Sequence, residues 1–254
     1  MTTDEAGLEA KATEFADTLT ALTRGVLGPD SPRFSAITRG TRILVAPLEQ
    51  DGVSVASIPV TIDQVPCLQL HVQHLCCWDT AGQYLATDKA DVKVFFENTN
   101  LEPLLRYEYV RKSRNPPGAH LQVHAHRDEL AYLLRLAERK QSTPSGKFRR
   151  GKLPRISEIH FPVGGHRFRP GLEDVLLLLE REFAIDVQPG WRKIVDAETQ
   201  KWRLLQLRAA VRDAPDVAAA VLRDHLGYTV IPPESEGLPA PRPAAEKDSR
   251  LFWP

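Results

Sequence analysis

Cysteine is scarce in this 254-residue chain, with three residues in all, two of them adjacent at Cys76 and Cys77. That odd count fits no disulfide framework, and no CxxC pair or finger spacing accompanies it. The cluster Cys67, His71, His74, Cys76 and Cys77 reads instead as a strand. Cys67, His71 and Cys77 then point one way, and His74 and Cys76 the other. Long apolar runs are also missing, and none approaches the roughly 20 residues that span a bilayer. The opening MTTDEAGLEAK is acidic and has no apolar core, which argues against a secretory signal. Net charge is lacking too, at +0 from 33 basic and 33 acidic residues. These absences point to a cytoplasmic protein that does not contact the membrane. No internal repeat is visible.

The zero charge hides a strong asymmetry. From Arg106 to Pro170 there are 15 Lys and Arg against 5 Asp and Glu. The balance is 7 against 14 before that stretch and 11 against 14 after it. The same stretch holds five of the eight histidines. Arginine outnumbers lysine by 23 to 10, the usage of a GC-rich bacterial genome. Hydrophobic content of 42% is that of an ordinary globular chain long enough to bury a core.

Periodicity predicts an α+β fold. Leu8, Ala12, Phe15, Leu19, Leu22 and Val26 recur at helical steps, so residues 1–28 form an amphipathic helix that docks on the body of the fold. From Thr41 to Arg127 the chain reads as short β-branched and aromatic strands separated by turns, among them CLQLHVQHLCCW, DVKVFFE, LLRYEYVR and AHLQVHAHR. With no helix between them they are antiparallel neighbours, a curved meander of about five to six strands. Asp128–Lys140 reads as a helix, 141–155 as a basic loop, and ISEIHFP as a returning strand. The glycine loop VGGHRFRPG then enters the helix LEDVLLLLEREF, closing a sheet domain at 29–186. Residues 187–230 are helical, with Pro189 and Pro215 in first turns. There Trp191, Ile194, Val195, Trp202, Leu205 and Leu207 are expected to pack. The proline-rich tail, 231–254, offers Phe252 and Trp253 as a docking point.

Chemistry concentrates in the basic centre. On the strand AHLQVHAHR, His120, Gln122, His124 and His126 share one face. His124 and His126 are roughly 6.6 Å apart at strand spacing, close enough to act on one phosphate, and His120 is too far to join them directly. Histidine titrates near neutrality and suits general acid–base work. RNA supplies its own nucleophile in the 2′-hydroxyl. His124 or His126 opposite His160 or His166, with Arg106, Arg127, Arg167 and Arg169 as the phosphate clamp, would form a metal-independent ribonuclease site that needs no cofactor. The loop at 164–171 can offer N–H groups to a phosphate, although Glu173 and Asp174 oppose an anion at that helix start. A cupin-like metal site built from His124, His126, Glu129, His160 and His166 is a third reading, with motif spacings that fail by one residue. The rival class is a binding module without turnover, engaging nucleic acid or an acidic protein.

The order LRYEY, HLQVHAH, HFPVGG and LEDVLLLL, over residues 78–182, resembles the TumE-like family of bacterial toxin–antitoxin proteins. Arg106, Tyr107 and Glu108 match the family's Arg-Tyr-acid element, and His124 and His126 match its histidine run. The resemblance implies a toxin-like protein acting on RNA, with an antitoxin as partner. The chain departs from the family in its length, its first helix, its helical final third and its lone rather than paired histidines.

Overall fold

The computed structural model describes residues 3–79, 82, 84–97, 102–113, 116–124, 161–163 and 168–231. A long helix, α1 (Thr3–Leu27), precedes eight strands: β1 (Phe34–Arg39), β2 (Arg42–Pro47), β3 (Ile58–Ile62), β4 (Val65–Trp78), β5 (Leu85–Phe96), β6 (Leu105–Val110), β7 (Ala119–Val123) and β8 (Phe161–Pro162). Three α-helices follow, α2 (Leu172–Phe183), α3 (Trp191–Asp213) and α4 (Pro215–Ala220). The α+β architecture follows the periodicity. The expected helix at 128–140, the loop at 141–155 and the tail from 232 onward lie outside the described residues.

All eight strands join one antiparallel sheet in the order β1-β2-β4-β5-β6-β7-β8, with β3 pairing on β4. Six of them, β2 to β7, form the meander expected between Thr41 and Arg127, β8 falls in the expected returning strand, and β1 is additional. Strand β4 is long enough, at 14 residues, to hold β2 and β3 at different points along its length. Register shifts between Val60 and Thr61 and between Leu75 and Cys76 interrupt the ladder, as bulges do where a sheet bends.

Alternation gives the sheet two faces. Leu68, Leu70 and Val72 of β4 and Val92 and Val94 of β5 are buried, and with Tyr107 of β6 they share one core with α1 and α2. Helix α1 presents Leu8, Ala12, Ala16, Leu19, Leu22 and Val26 to that core. Fully burying each large aliphatic side chain contributes about 2 kcal/mol. Two buried threonines interrupt the stripe without cost to the helix. Thr23 donates to the Leu19 carbonyl, and Thr20 donates to Ala16 while accepting the Phe34 N–H at 2.9 Å. That last bond ties the start of β1 to the helix.

Helix α2 buries Leu172, Val175, Leu176 and Leu179, a stripe with helical spacing. Helix α3 buries Val195, Gln206, Ala209 and Asp213. Leu205 and Leu207, expected to pack, fall off that stripe and are about half exposed, at 47% and 53%. Helices α1 and α3 meet at Gly25, where a Cβ would lie 2.6 Å from Ile194 Cδ1. A side chain at that position would force Ile194 to move. No helix of the described residues is long and apolar enough to cross a membrane.

Candidate functional site

The sheet face turned away from the core is polar, and its residues stand in two rows across the strands. Gln73, Asp91, Glu108 and His120 are successive register partners from β4 to β7. Two residues along, His71, Lys93, Arg106 and Gln122 form the neighbouring row. Directly paired residues share a face, so an acidic row lies beside a basic one.

The rows are cross-linked. Asp91 is met by Lys93 at 3.0 Å and by Arg106 Nε at 3.5 Å, and Gln73 donates to it at 3.4 Å. Glu108 is met by Lys89 at 3.2 Å, His120 Nε2 at 3.5 Å and Arg106 at 3.8 Å. The His120 hydrogen bond, together with Arg106 and Lys89, pulls the Glu108 carboxyl down to about 2 against the opposing effect of burial. Glu108 is therefore ionised at any physiological pH. Asp91 and His120 are buried, at 2% and 0% exposure.

His120 shares the face of Gln122 and His124, as expected, and is completely buried there. Its Nδ1–H donates to the Pro117 carbonyl at 2.7 Å, and Nε2 lies 3.5 Å from a Glu108 carboxylate oxygen. His71 is half-buried, with Nε2 2.8 Å from the Ser57 hydroxyl and its ring against Phe95.

His124 follows β7 immediately, and its N–H bonds the Leu104 carbonyl at 3.0 Å, which continues the β6–β7 ladder. Its parity is that of His120 and Gln122, hence the polar face. Nδ1 lies 3.3 Å from a Glu102 carboxylate oxygen, and Nε2 is sealed from solvent without a hydrogen-bond partner. A carboxylate on Nδ1 fixes the tautomer and leaves Nε2 as the reactive nitrogen.

Of the residues expected to form the site, Arg106 and His124 share this face. Arg169 does not. Its guanidinium lies 4.0 Å from the Tyr109 ring centroid and 4.9 Å from that of Trp202. Tyr109 alternates with Arg106 and Glu108, so Arg169 packs on the opposite, core-facing side of the sheet. It joins β6 to α3 and cannot clamp a phosphate together with Arg106. His126, His160, His166, Arg127, Arg167 and Glu129 lie outside the described residues, as do most members of the cupin-like set. Among the described residues, no three His, Cys, Asp or Glu side chains converge as a metal site.

The Cys67–Cys77 strand splits much as alternation predicts. Cys76 is buried in the core, where burial foremost pushes its thiol up to about 12. Arg111 donates to the Cys77 sulfur at 3.6 Å. His74 faces α1, edge-on to Phe15 at 5.1 Å. At the entry to α2, the Asp174 carboxylate accepts the Gly171 N–H at 2.9 Å. The helix start is thus occupied by the chain's own acid.

The sequence pointed to Glu108 through the family resemblance alone, and Asp91, Lys93 and Glu102 were not among the expected site residues. The signal was present as polar residues two apart, Asp-Val-Lys in β5 and Arg-Tyr-Glu in β6, on strands whose intervening positions are apolar. Register alone makes these pairs one network. Compared with family models, curated proteins and solved structures, the chain finds no match.

Proposed function

We propose that the chain engages RNA, or nucleotide phosphates more generally, at the edge of this polar face, and that His124 is the acid–base group of a metal-independent ribonuclease. The observation that supports this most is the pairing of His124 Nδ1 with Glu102, which aims an unpartnered Nε2 onto the face that carries Arg106. A 2′-hydroxyl attacking its own phosphodiester needs a base at the hydroxyl and an acid at the leaving oxygen. An imidazole oriented by a carboxylate can fill either role. His126, His160 and His166 are candidates for the second group, and Arg127 and Arg167 for further charge. The TumE-like resemblance points the same way and brings an antitoxin-like acidic partner with it. Because Nε2 is sealed, a substrate has to displace what covers it.

A second reading is a binding module without turnover. The mutual neutralisation of Asp91, Glu108, Lys93 and Arg106 favours it, since such a network stiffens a sheet as readily as it serves chemistry. One experiment separates the two. Labelled RNA is incubated in chelator with the wild-type protein, with His124→Ala and with Glu102→Gln. The nuclease reading expects cleavage that both substitutions reduce by about 100-fold or more. Equal cleavage by all three proteins would falsify the assignment of His124, and salt-sensitive binding without cleavage would establish the module.

A further inference from the structure

On the other side of the sheet, between α1, strands β4 to β6 and the start of α2, lies a cavity of about 50 Å³. Its lining includes Phe15, His74, Tyr107, Arg169, Glu173 and Trp202. Two of these side chains carry polar atoms that the protein leaves unsatisfied. The Tyr107 hydroxyl is buried without a hydrogen-bond partner, on a residue that is only 6% exposed. His74 Nδ1 is likewise buried and unpartnered. Two residues lining one small cavity thus each carry an orphaned polar atom, although buried polar groups are nearly always bonded.

The size and lining of the cavity limit what it can take. At about 50 Å³ it lies far below the 300–1,000 Å³ of a small-molecule pocket, and it matches one or two waters at about 30 Å³ each. An apolar guest would leave both orphans unpaired. A small anion would meet the Glu173 carboxyl, which also lines the cavity. Water fits both orphans, since it can accept from the Tyr107 O–H and either donate to His74 Nδ1 or accept from it, whichever tautomer the ring holds. We propose that this cavity is an internal hydration site, in which one or two bound waters bridge the Tyr107 hydroxyl and His74 Nδ1 beneath the Arg169–Gly171 segment.

The site gives those waters a structural task. Arg169 is stacked between Tyr109 and Trp202, and its carbonyl accepts the Trp202 Nε1–H at 3.2 Å. The wet pocket lies directly under this clasp and links the helix α1 side of the core to the entry of α2. Filling it with a protein side chain would have to break the polar bridge.

Tyr107→Phe tests the proposal. If the hydroxyl is hydrated, the substitution strands a water and lowers the melting temperature by about 3 °C. If the hydroxyl is dry, removing it leaves the melting temperature unchanged or raises it, which overturns the proposal. A high-resolution crystal structure of the full chain supplies the second measurement. Solvent density within 3.2 Å of both Tyr107 Oη and His74 Nδ1 is expected. Its absence, or a peak whose occupancy follows added chloride or bromide, would also overturn the proposal, the latter in favour of an anion.

Discussion

The Asp186 carboxylate accepts a hydrogen bond from the Thr61 hydroxyl at 2.6 Å across 125 residues of sequence. The same carboxylate takes the N–H groups of Gln64 at 2.7 Å and Asp63 at 3.1 Å. Asp63 and Gln64 are the two-residue turn between β3 and β4, and both have positive φ, 52° and 64°. Such a turn favours Asn-Gly, and here a distant acid holds it instead.

Removing that acid should therefore loosen the β3–β4 hairpin. Asp186→Ala is expected to lower the melting temperature by a few degrees, whereas Gln64→Gly, which keeps the N–H and relieves the positive φ, should stabilise by up to about 1 kcal/mol. The Thr61 hydrogen bond, followed by the Gln64 N–H, holds the Asp186 carboxyl below its usual range. A depressed acid contributes stability above its unfolded value that is lost as pH falls through the folded one, so the Asp186→Ala deficit should shrink in strong acid. Melting curves of both variants at neutral and acid pH check this.

Arg106 and Arg169 face opposite sides of the sheet, so their substitutions should part company. Arg169→Gln removes a guanidinium stacked on two aromatic rings and is expected to cost about 1–2 kcal/mol of stability. Phosphate or RNA affinity should remain at the wild-type level. Arg106→Gln should do the reverse for binding, weakening it and flattening its salt dependence. A parallel titration of both variants, read by anisotropy, checks the separation. Equal loss of affinity in the two would contradict the two-faced arrangement.

His74 and Glu173 line one cavity yet respond to acid in opposite senses. Burial above all, reinforced by Arg169, pushes the His74 imidazole down to about 4. Between pH 6.5 and 4 the unfolded chain binds a proton there that the folded one refuses. Its contribution is complete above 6.5 and is lost as pH falls to 4, a change on the order of 3 kcal/mol. Burial foremost also raises the Glu173 carboxyl to about 7, so ionising it costs stability as pH rises from 4.5 through 7. His74→Phe should thus flatten the acid limb of the stability–pH curve, and Glu173→Gln should gain about 2 kcal/mol at pH 8 that vanishes by pH 4.5. Denaturant midpoints at five pH values decide both.

Glu108 is met on the polar face by Lys89, Arg106 and His120. Glu108→Gln would leave His120 buried beside a neutral amide and release Lys89 and Arg106, costing about 3 kcal/mol at neutral pH. With the carboxyl at about 2, that contribution is present above pH 4.5 and fades as pH falls towards 2. The gap between wild type and variant should narrow over that window in urea denaturation. A gap that does not change with pH would show that Glu108 acts through packing alone.

The helices and the strand character of this chain were legible because they depend on spacing within a few residues. Leu8 to Val26 and Leu172 to Leu179 declare their faces at helical steps, and Leu68 to Val72 alternates as a strand should. The site was less legible because it depends on register between strands. Nothing near Asp91 in sequence says that Glu108 and His120 stand beside it, and nothing near Tyr109 says that Arg169 will stack on its ring. The burial of His120 depends on register in the same way. Its partners are the Pro117 carbonyl, formed by the loop before β7, and Glu108, supplied by another strand. Leu205 and Leu207 were misplaced because α3 buries a polar stripe, Gln206 and Asp213 among its members, that apolar periodicity cannot reveal.

The glycine contact between α1 and α3 sets an order of events in the ribosome's exit. Gly25 meets Ile194, so the first helix waits through synthesis of the whole sheet before its partner emerges. At 5–20 residues per second that interval is roughly 10–30 s. Over most of it, the apolar stripe of α1 and the core face of the sheet lack the side chains that α2 and α3 add to the same core. A nascent chain stalled anywhere before α3 would present that seam to chaperones, and the completed chain would hide it.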